Sequence, residues 1–168
     1  MTAERSPSLP ITNYRRFESF REYETLVDTL LPQTVALVRV FDNALPAAWN
    51  SVQRTTLLRQ FLRNNPINRL YIVLHETEPI ERLLPRLVDL QQDFGHAFKL
   101  RRTPKMARHL YDPFVIFDAN HYLHRFHHAH MRAAIGTHDV EGAQALLDRH
   151  QELWEVSAPV SFGASSGL

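Results

Sequence analysis

The feature that most limits what this chain can fold into is an alternation of short apolar β-branched runs with amphipathic helical segments. Thr34 to Phe41 (TVALVRVF), Arg69 to Leu74 (RLYIVL) and Phe114 to Phe117 (FVIF) are runs too short for helices and rich in Val and Ile. Such runs read as buried strands. Between them lie segments of helical period. Glu18 to Leu31 carries Phe20, Tyr23, Leu26, Val27 and Leu30 on one face before Pro32 stops it. Trp49 to Leu62 ends at Asn64-Asn65-Pro66. Ile80 to Phe94 is helical with an interruption at Pro85 and a stop at Gly95, and Val140 to Trp154 is the last helix. His96 to Leu100 reads as a short strand. Tyr122 to Phe126 reads as a strand joined to Phe114–Phe117 by the polar turn Asp118-Ala119-Asn120-His121, a β-hairpin in the C-terminal half. Strands alternating with helices predict an α/β layered fold with a mostly parallel central sheet and helices on both faces.

At 168 residues one domain is expected over residues 14–157, with a leader at 1–13 and a disordered tail at 158–168. The absence of Cys excludes disulfides, thiolate metal sites and a cysteine nucleophile. The N-terminal stretch MTAERSPSLPITNYRR has no apolar h-region and no run approaches a membrane span, which predicts a cytoplasmic location without membrane contact. The net charge of +1 gives no global pull toward nucleic acid.

Charge and histidine are nevertheless unevenly placed. From Phe94 to Leu110 there is no Asp or Glu, while Lys99, Arg101, Arg102, Lys105 and Arg108 fall there. The stretch is either a solvated basic loop balanced by Glu76, Glu78 and Glu81, or a surface for an anionic partner formed by Arg101, Arg102, Lys105 and Arg108. Five of the ten histidines lie between His121 and His130. Three readings of HRFHHAHMR stay open: surface residues at a strand end, a metal site of imidazoles alone, or a residual anion site of His124, Arg125 and His127. His75 ends a strand, where ligands gather in open α/β sheets.

The order YDPFVIFD, hairpin, and then DVEGAQALLDRHQELWEVSAPV resembles one half of the phospholipase D-like (HKD) superfamily. VALVRVFDNAL, RLYIVLHETEP and GHAFKLRRTP resemble its earlier strands, so the likeness runs over about residues 34–157. In that superfamily a strand begins with His-x-Lys and reaches an Asp after four more residues. The resemblance places Tyr111 on the His, Pro113 on the Lys and Asp118 on the Asp, with the later Gly-Ser near His124-Arg125-Phe126. Proline has neither charge nor donor, and tyrosine needs a neighbouring base to become a nucleophile near pH 7, so the phosphoryl-transfer machinery is degenerate. Two signatures make a superfamily site and this chain has one, which implies a homodimer. The sequence also resembles a bacterial family of no assigned activity, found alone or beside N-acetyltransferase-like domains, in which YDPFV…D and HRFH recur as a block.

These resemblances lead to one expectation and two alternatives. The expectation is a pseudoenzyme: a non-catalytic binding or regulatory module, without cofactor or metal, that holds a phosphate-bearing ligand, nucleic acid or another anion. Its ligand-binding set is Tyr111, Asp118, His124, Arg125, His127 and His75, although for Asp118 a local turn cap is the preferred reading. One alternative is a phosphodiesterase or nuclease-type hydrolase using a histidine of the 124–130 segment. The other is a ligand-free interaction partner of an acetyltransferase.

Overall fold

The computed structural model describes residues 13–162. Eight strands form one sheet: β1 (Asn13–Phe17), β2 (Leu37–Asp42), β3 (Arg69–Leu74), β4 (Phe98–Arg102), β5 (Phe114–Phe117), β6 (His121–His127), β7 (His130–Thr137) and β8 (Ala158–Val160). Among the described residues five α-helices accompany them: α1 (Phe20–Leu30), α2 (Val52–Asn64), α3 (Ile80–Leu83), α4 (Pro85–Asp93) and α5 (Val140–Val156). The order across the sheet is β1-β7-β6-β5-β2-β3-β4-β8.

The layered α/β architecture is as expected, with helices on both faces and the C-terminal-half hairpin in place. The sheet itself is a correction. Only β2, β3 and β4 run parallel. Every other pairing is antiparallel. The expectation of a mostly parallel sheet failed because three strands carry no β-branched run. β7 (HMRAAIGT) opens on His, Met and Arg and carries two Ala and a Gly, with its β-branched Ile and Thr separated by the Gly. β1 (NYRRF) and β8 (APV) are edge strands, polar or Pro-containing, the composition that sheet edges tolerate. The tail expected from residue 158 therefore opens with β8 paired to β4. The remainder of the leader and tail, 1–12 and 163–168, lies outside the described residues.

Strand alternation divides the core in two. Val38, Val40, Leu70, Ile72, Leu100 and Leu123 face α1, α2 and α4. Phe41, Val73, Phe114, Ile116 and Tyr122 face α5, which buries Ala143, Leu146 and Leu153 against them. Ser19 and Ser51 cap α1 and α2 by accepting from Glu22 N–H and Arg54 N–H. Pro85 does not merely interrupt a helix; it opens α4 as its first residue, where its missing N–H has no helical partner to lose. Gly136 of β7 lies opposite Tyr122 of β6, and a Cβ there would overlap the tyrosine ring. The Tyr122 hydroxyl is thereby led to Asp139, donating at 2.7 Å, and Asp139 also accepts from Gly142 N–H at 2.9 Å to cap α5.

Asp118 shows how the hairpin is anchored. Its φ is +57°, and its carboxylate accepts from the N–H groups of Val35 (3.1 Å), Ala36 (2.8 Å) and Leu37 (3.2 Å). It thus satisfies the three backbone donors that lead into β2, the turn-capping role in extended form.

Candidate functional site

Antiparallel pairing sets which residues meet. Phe114 pairs with Phe41 at the C-terminal end of β2 and with His124 on β6. Residues just before β5, the end of β6 and the ends of β2 and β3 therefore gather at one end of the sheet. Asp118, at the far end of β5, belongs to the other. The sequence reading that joined Asp118 to Tyr111 and His124 in one ligand set is corrected by this geometry.

At the shared end, His109, Tyr111, Asp112, His124, Phe126 and Arg149 line an open cleft of about 330 Å³. Asp112 is its hub. One carboxylate oxygen accepts from His124 Nε2 at 2.9 Å and from Arg149 of α5. Burial opposes ionisation of Asp112, but the His124 hydrogen bond and the Arg149 guanidinium overcome it and hold the carboxyl below its ordinary range. One acid thus binds two potential cations, and His109 adds a third nitrogen base to the wall. With Nε2 committed to Asp112, His124 has Nδ1 left to offer. Arg149 shows about a third of its side chain (35%) to solvent.

Of the expected set, Tyr111 and His124 reach this cleft and the rest do not. His127 lies on the far side of Tyr111, ring centroids 5.1 Å apart, and stacks on His128 at 4.8 Å. It lines a neighbouring cleft of about 480 Å³ with Glu18, Phe126, His130, Met131 and Arg132. Among the described residues no three of His, Asp and Glu group as a metal site. Arg125 is a correction. It points to the opposite face of β6, is 6% exposed, lies over the rings of Phe20 (5.3 Å) and Tyr23 (5.9 Å), and donates to the His128 carbonyl at 2.7 Å. Period 2 along a strand separates it from His124, and the apolar stem plus guanidinium suits it to packing on α1.

His75 is buried, with Nε2 2.7 Å from the Leu110 carbonyl and Nδ1 2.5 Å from Thr103 Oγ1. A carbonyl only accepts, so Nε2 carries the proton and Nδ1 accepts from the threonine. Burial keeps the imidazole pKa below its usual value. His75 therefore fastens the 103–110 loop to the end of β3 and has no nitrogen free for a ligand.

The basic stretch also divides. Arg101 donates to the Trp154 carbonyl at 2.7 Å with its guanidinium 4.4 Å from the indole centroid, closing the end of α5. Arg102 is 3.6 Å from Glu78. Lys105 and Arg108 are exposed on a single 3-10 turn just before His109. The surface for an anionic partner expected of these four basic residues is thus split among three places. Asp112 and Arg149 were missed from sequence. Asp112 lies inside the YDPF block between the two degenerate signature positions, which was a usable signal; Arg149, one residue before the inward-facing His150, had none.

A sheet of this order with helices on both faces and a cleft at the end of the signature strand defines the phospholipase D-like fold. The structure is similar to Nuc of Salmonella typhimurium, a phospholipase D family member, with a TM-score of 0.66 and 14% identity over 89% of this chain and 99% of that one. It is also similar to TrmBL2, an archaeal chromatin protein that binds DNA (TM-score 0.64, 13% identity, 92% of this chain and 56% of that one). Phosphatidylserine synthase of Haemophilus influenzae Rd KW20 matches with a TM-score of 0.60 and 11% identity, over 91% of this chain and 41% of that one. Within that fold class the chain belongs to the family described as a domain of unknown function, DUF7931, whose model matches residues 23–162. No curated protein matches the sequence. Among the described residues no helix is long and apolar enough to cross a membrane.

Proposed function

We propose that the chain is a binding module in which a degenerate phospholipase D-like site holds a phosphate-bearing or other anionic ligand. The observation that carries this reading is the Asp112 hub. A single carboxylate positions Arg149 and His124 on the wall of an open cleft where the resembled signature would present His and Lys. Arg149 supplies a permanent planar donor, and His124 and His109 supply further donors when protonated. Pro113 is buried at the start of β5 and contributes its carbonyl to Arg125 N–H (2.8 Å), so nothing at that position donates to an anion. The test is thermal stabilisation by inorganic phosphate, sulfate and a short oligonucleotide. Arg149→Gln is expected to weaken binding about tenfold or more, the loss of one charge-assisted contact. Equal stabilisation of wild type and Arg149→Gln would overturn the reading.

One observation favours a hydrolase as the second reading: the hydrogen bond from His124 to Asp112, since a carboxylate that fixes one imidazole nitrogen leaves the other aimed as base or nucleophile. Hydrolysis of bis-p-nitrophenyl phosphate between pH 5 and 8, with and without EDTA, decides it. Turnover lost in His124→Ala supports the hydrolase; turnover no different from that variant leaves the non-catalytic reading standing.

A further inference from the structure

Two clefts open side by side at the end of β6. The first, of about 330 Å³, is the one built on Asp112, with His109, His124 and Arg149 on its walls. The second, of about 480 Å³, is walled by Glu18, Phe126, His127, His130, Met131 and Arg132. They are joined twice. Phe126 lines both. Tyr111 of the first has its ring centroid 5.1 Å from that of His127 in the second. This corner of the sheet stays open because α5 packs over β2, β3, β5 and β6, and its core partners include no residue of β1 or β7.

The two clefts repeat one composition, an arginine and two imidazoles. In the first, Asp112 orients Arg149 and His124. In the second, Arg132 is exposed and, among the described residues, forms no ion pair. His127 is held by its own hairpin: Nδ1 accepts from Ala129 N–H at 3.0 Å, so Nε2 carries the proton and donates even when the imidazole is neutral. Each cleft can thus hold one anionic group. Between the two stands an aromatic rim, Phe126 and Tyr111, 38% and 48% exposed. Arg16 of β1 supports Phe126, with its guanidinium 5.5 Å from the ring centroid. Exposed rings interleaved with cationic side chains take flat bases together with their phosphates.

We propose that the two clefts form one site for a dinucleotide bearing a 5′-phosphate, with one phosphate at Arg149, the other at Arg132 and a base stacked on the Phe126–Tyr111 rim. The proposal rests on the reading of the Asp112 cleft as an anion site and sets the size and chemistry of its ligand. A mononucleotide fills one cleft only. An inorganic polyphosphate has the charges but no flat face for the rim. Two clefts supply two phosphate positions, which sets the length at two nucleotides. Glu18, the acid of the second cleft, suits the exocyclic amino group of adenine, a donor.

The test is calorimetric titration of the full chain with the 5′-phosphorylated deoxyadenosine dinucleotide, deoxyadenosine monophosphate, tripolyphosphate and a ten-residue oligodeoxyadenylate. The dinucleotide is expected to bind at least about tenfold more tightly than the mononucleotide or tripolyphosphate, and within about tenfold of the longer strand. Arg132→Gln and Phe126→Leu should each weaken the dinucleotide about tenfold, and Arg132→Gln should leave the mononucleotide unchanged. Arg132 and Phe126 are exposed, so neither variant threatens the fold. A mononucleotide that binds through Arg149 with no gain for the dinucleotide, or a dinucleotide indifferent to Arg132→Gln, overturns this inference and leaves the Asp112 anion site standing. Tripolyphosphate as tight as the dinucleotide, or the longer strand more than about tenfold tighter, overturns it as well, the first in favour of a polyphosphate and the second in favour of a nucleic-acid strand. No binding of any of the four up to about 10 mM removes both readings.

Discussion

Replacing Arg54 with Met is expected to cost about 3–5 kcal/mol of stability, read as a fall in the urea midpoint at unchanged slope. Arg54 is 1% exposed on α2. Its Nε donates to Asp28 at 2.8 Å and its Nη2 to the Glu24 carbonyl at 3.0 Å, with the Glu24 carboxylate 2.7 Å away. The guanidinium also lies 4.9 Å from the centroid of the Trp49 ring. Removing it strands two acids of α1 in a part-buried position, and that uncompensated charge, more than the lost attraction, accounts for the size of the effect. Adding Glu24→Gln and Asp28→Leu to Arg54→Met should therefore return most of the loss. The exposed pair Arg59–Asp93, also 2.8 Å apart, provides the contrast: Arg59→Ala should change stability by no more than about 1 kcal/mol. A fall below about 1 kcal/mol in Arg54→Met would show that the buried ion group does not join α1 to α2.

The second large effect is hidden in the wild type and appears on substitution. His150 of α5 is 2% exposed, stacked 5.9 Å from Trp154 and edge-on to Phe114 at 6.3 Å. Burial, with Arg39 nearby, lowers its pKa to about 4. Between about pH 6.5 and 4 the unfolded chain takes up a proton at this residue that the folded chain refuses, so stability falls as the solution is acidified. Asp42 at the end of β2 does the reverse. Burial raises its pKa to about 7, against the Asn43 N–H hydrogen bond and Arg125, which pull it down. From about pH 7 to 4 the folded chain takes up the proton first, and stability rises on acidification. The shifts correspond to at most about 3 kcal/mol for His150 and about 4 kcal/mol for Asp42, the latter reduced by its residual contact with water. The two oppose one another in the same pH range. Wild-type urea midpoints at pH 7.5 and 4.5 should differ little on their account; His150→Phe should gain stability on acidification and Asp42→Asn should lose it. Parallel pH profiles for the three proteins would refute the assignment.

How far the sequence could be read depended on how local the cause was. β3 and β5 are legible because Leu70–Leu74 and Phe114–Phe117 are unbroken apolar runs. The helices declared themselves by period and by Pro85. β1, β7 and β8 did not, because their strand character comes from partners: Gly136 is in a strand because Tyr122 lies across from it. In the candidate site, Tyr111 and His124 were found from their places in the YDPF and HRFH blocks. Arg125 was misplaced because one residue along a strand is the difference between the cleft and the α1 core.

What the sequence determined by itself was the alternation of elements, the absence of thiol chemistry, and the loss of His and Lys at Tyr111 and Pro113. Tertiary structure decided the direction of the strands and the membership of the site. Asp112 meets Arg149 across 37 residues of chain, and Asp118 reaches back 83 residues to Val35. Hydrophobic period and turn chemistry act over a few residues and are written in the local sequence. Contacts that close such long loops depend on which strand edges pair, and only the folded sheet fixes that.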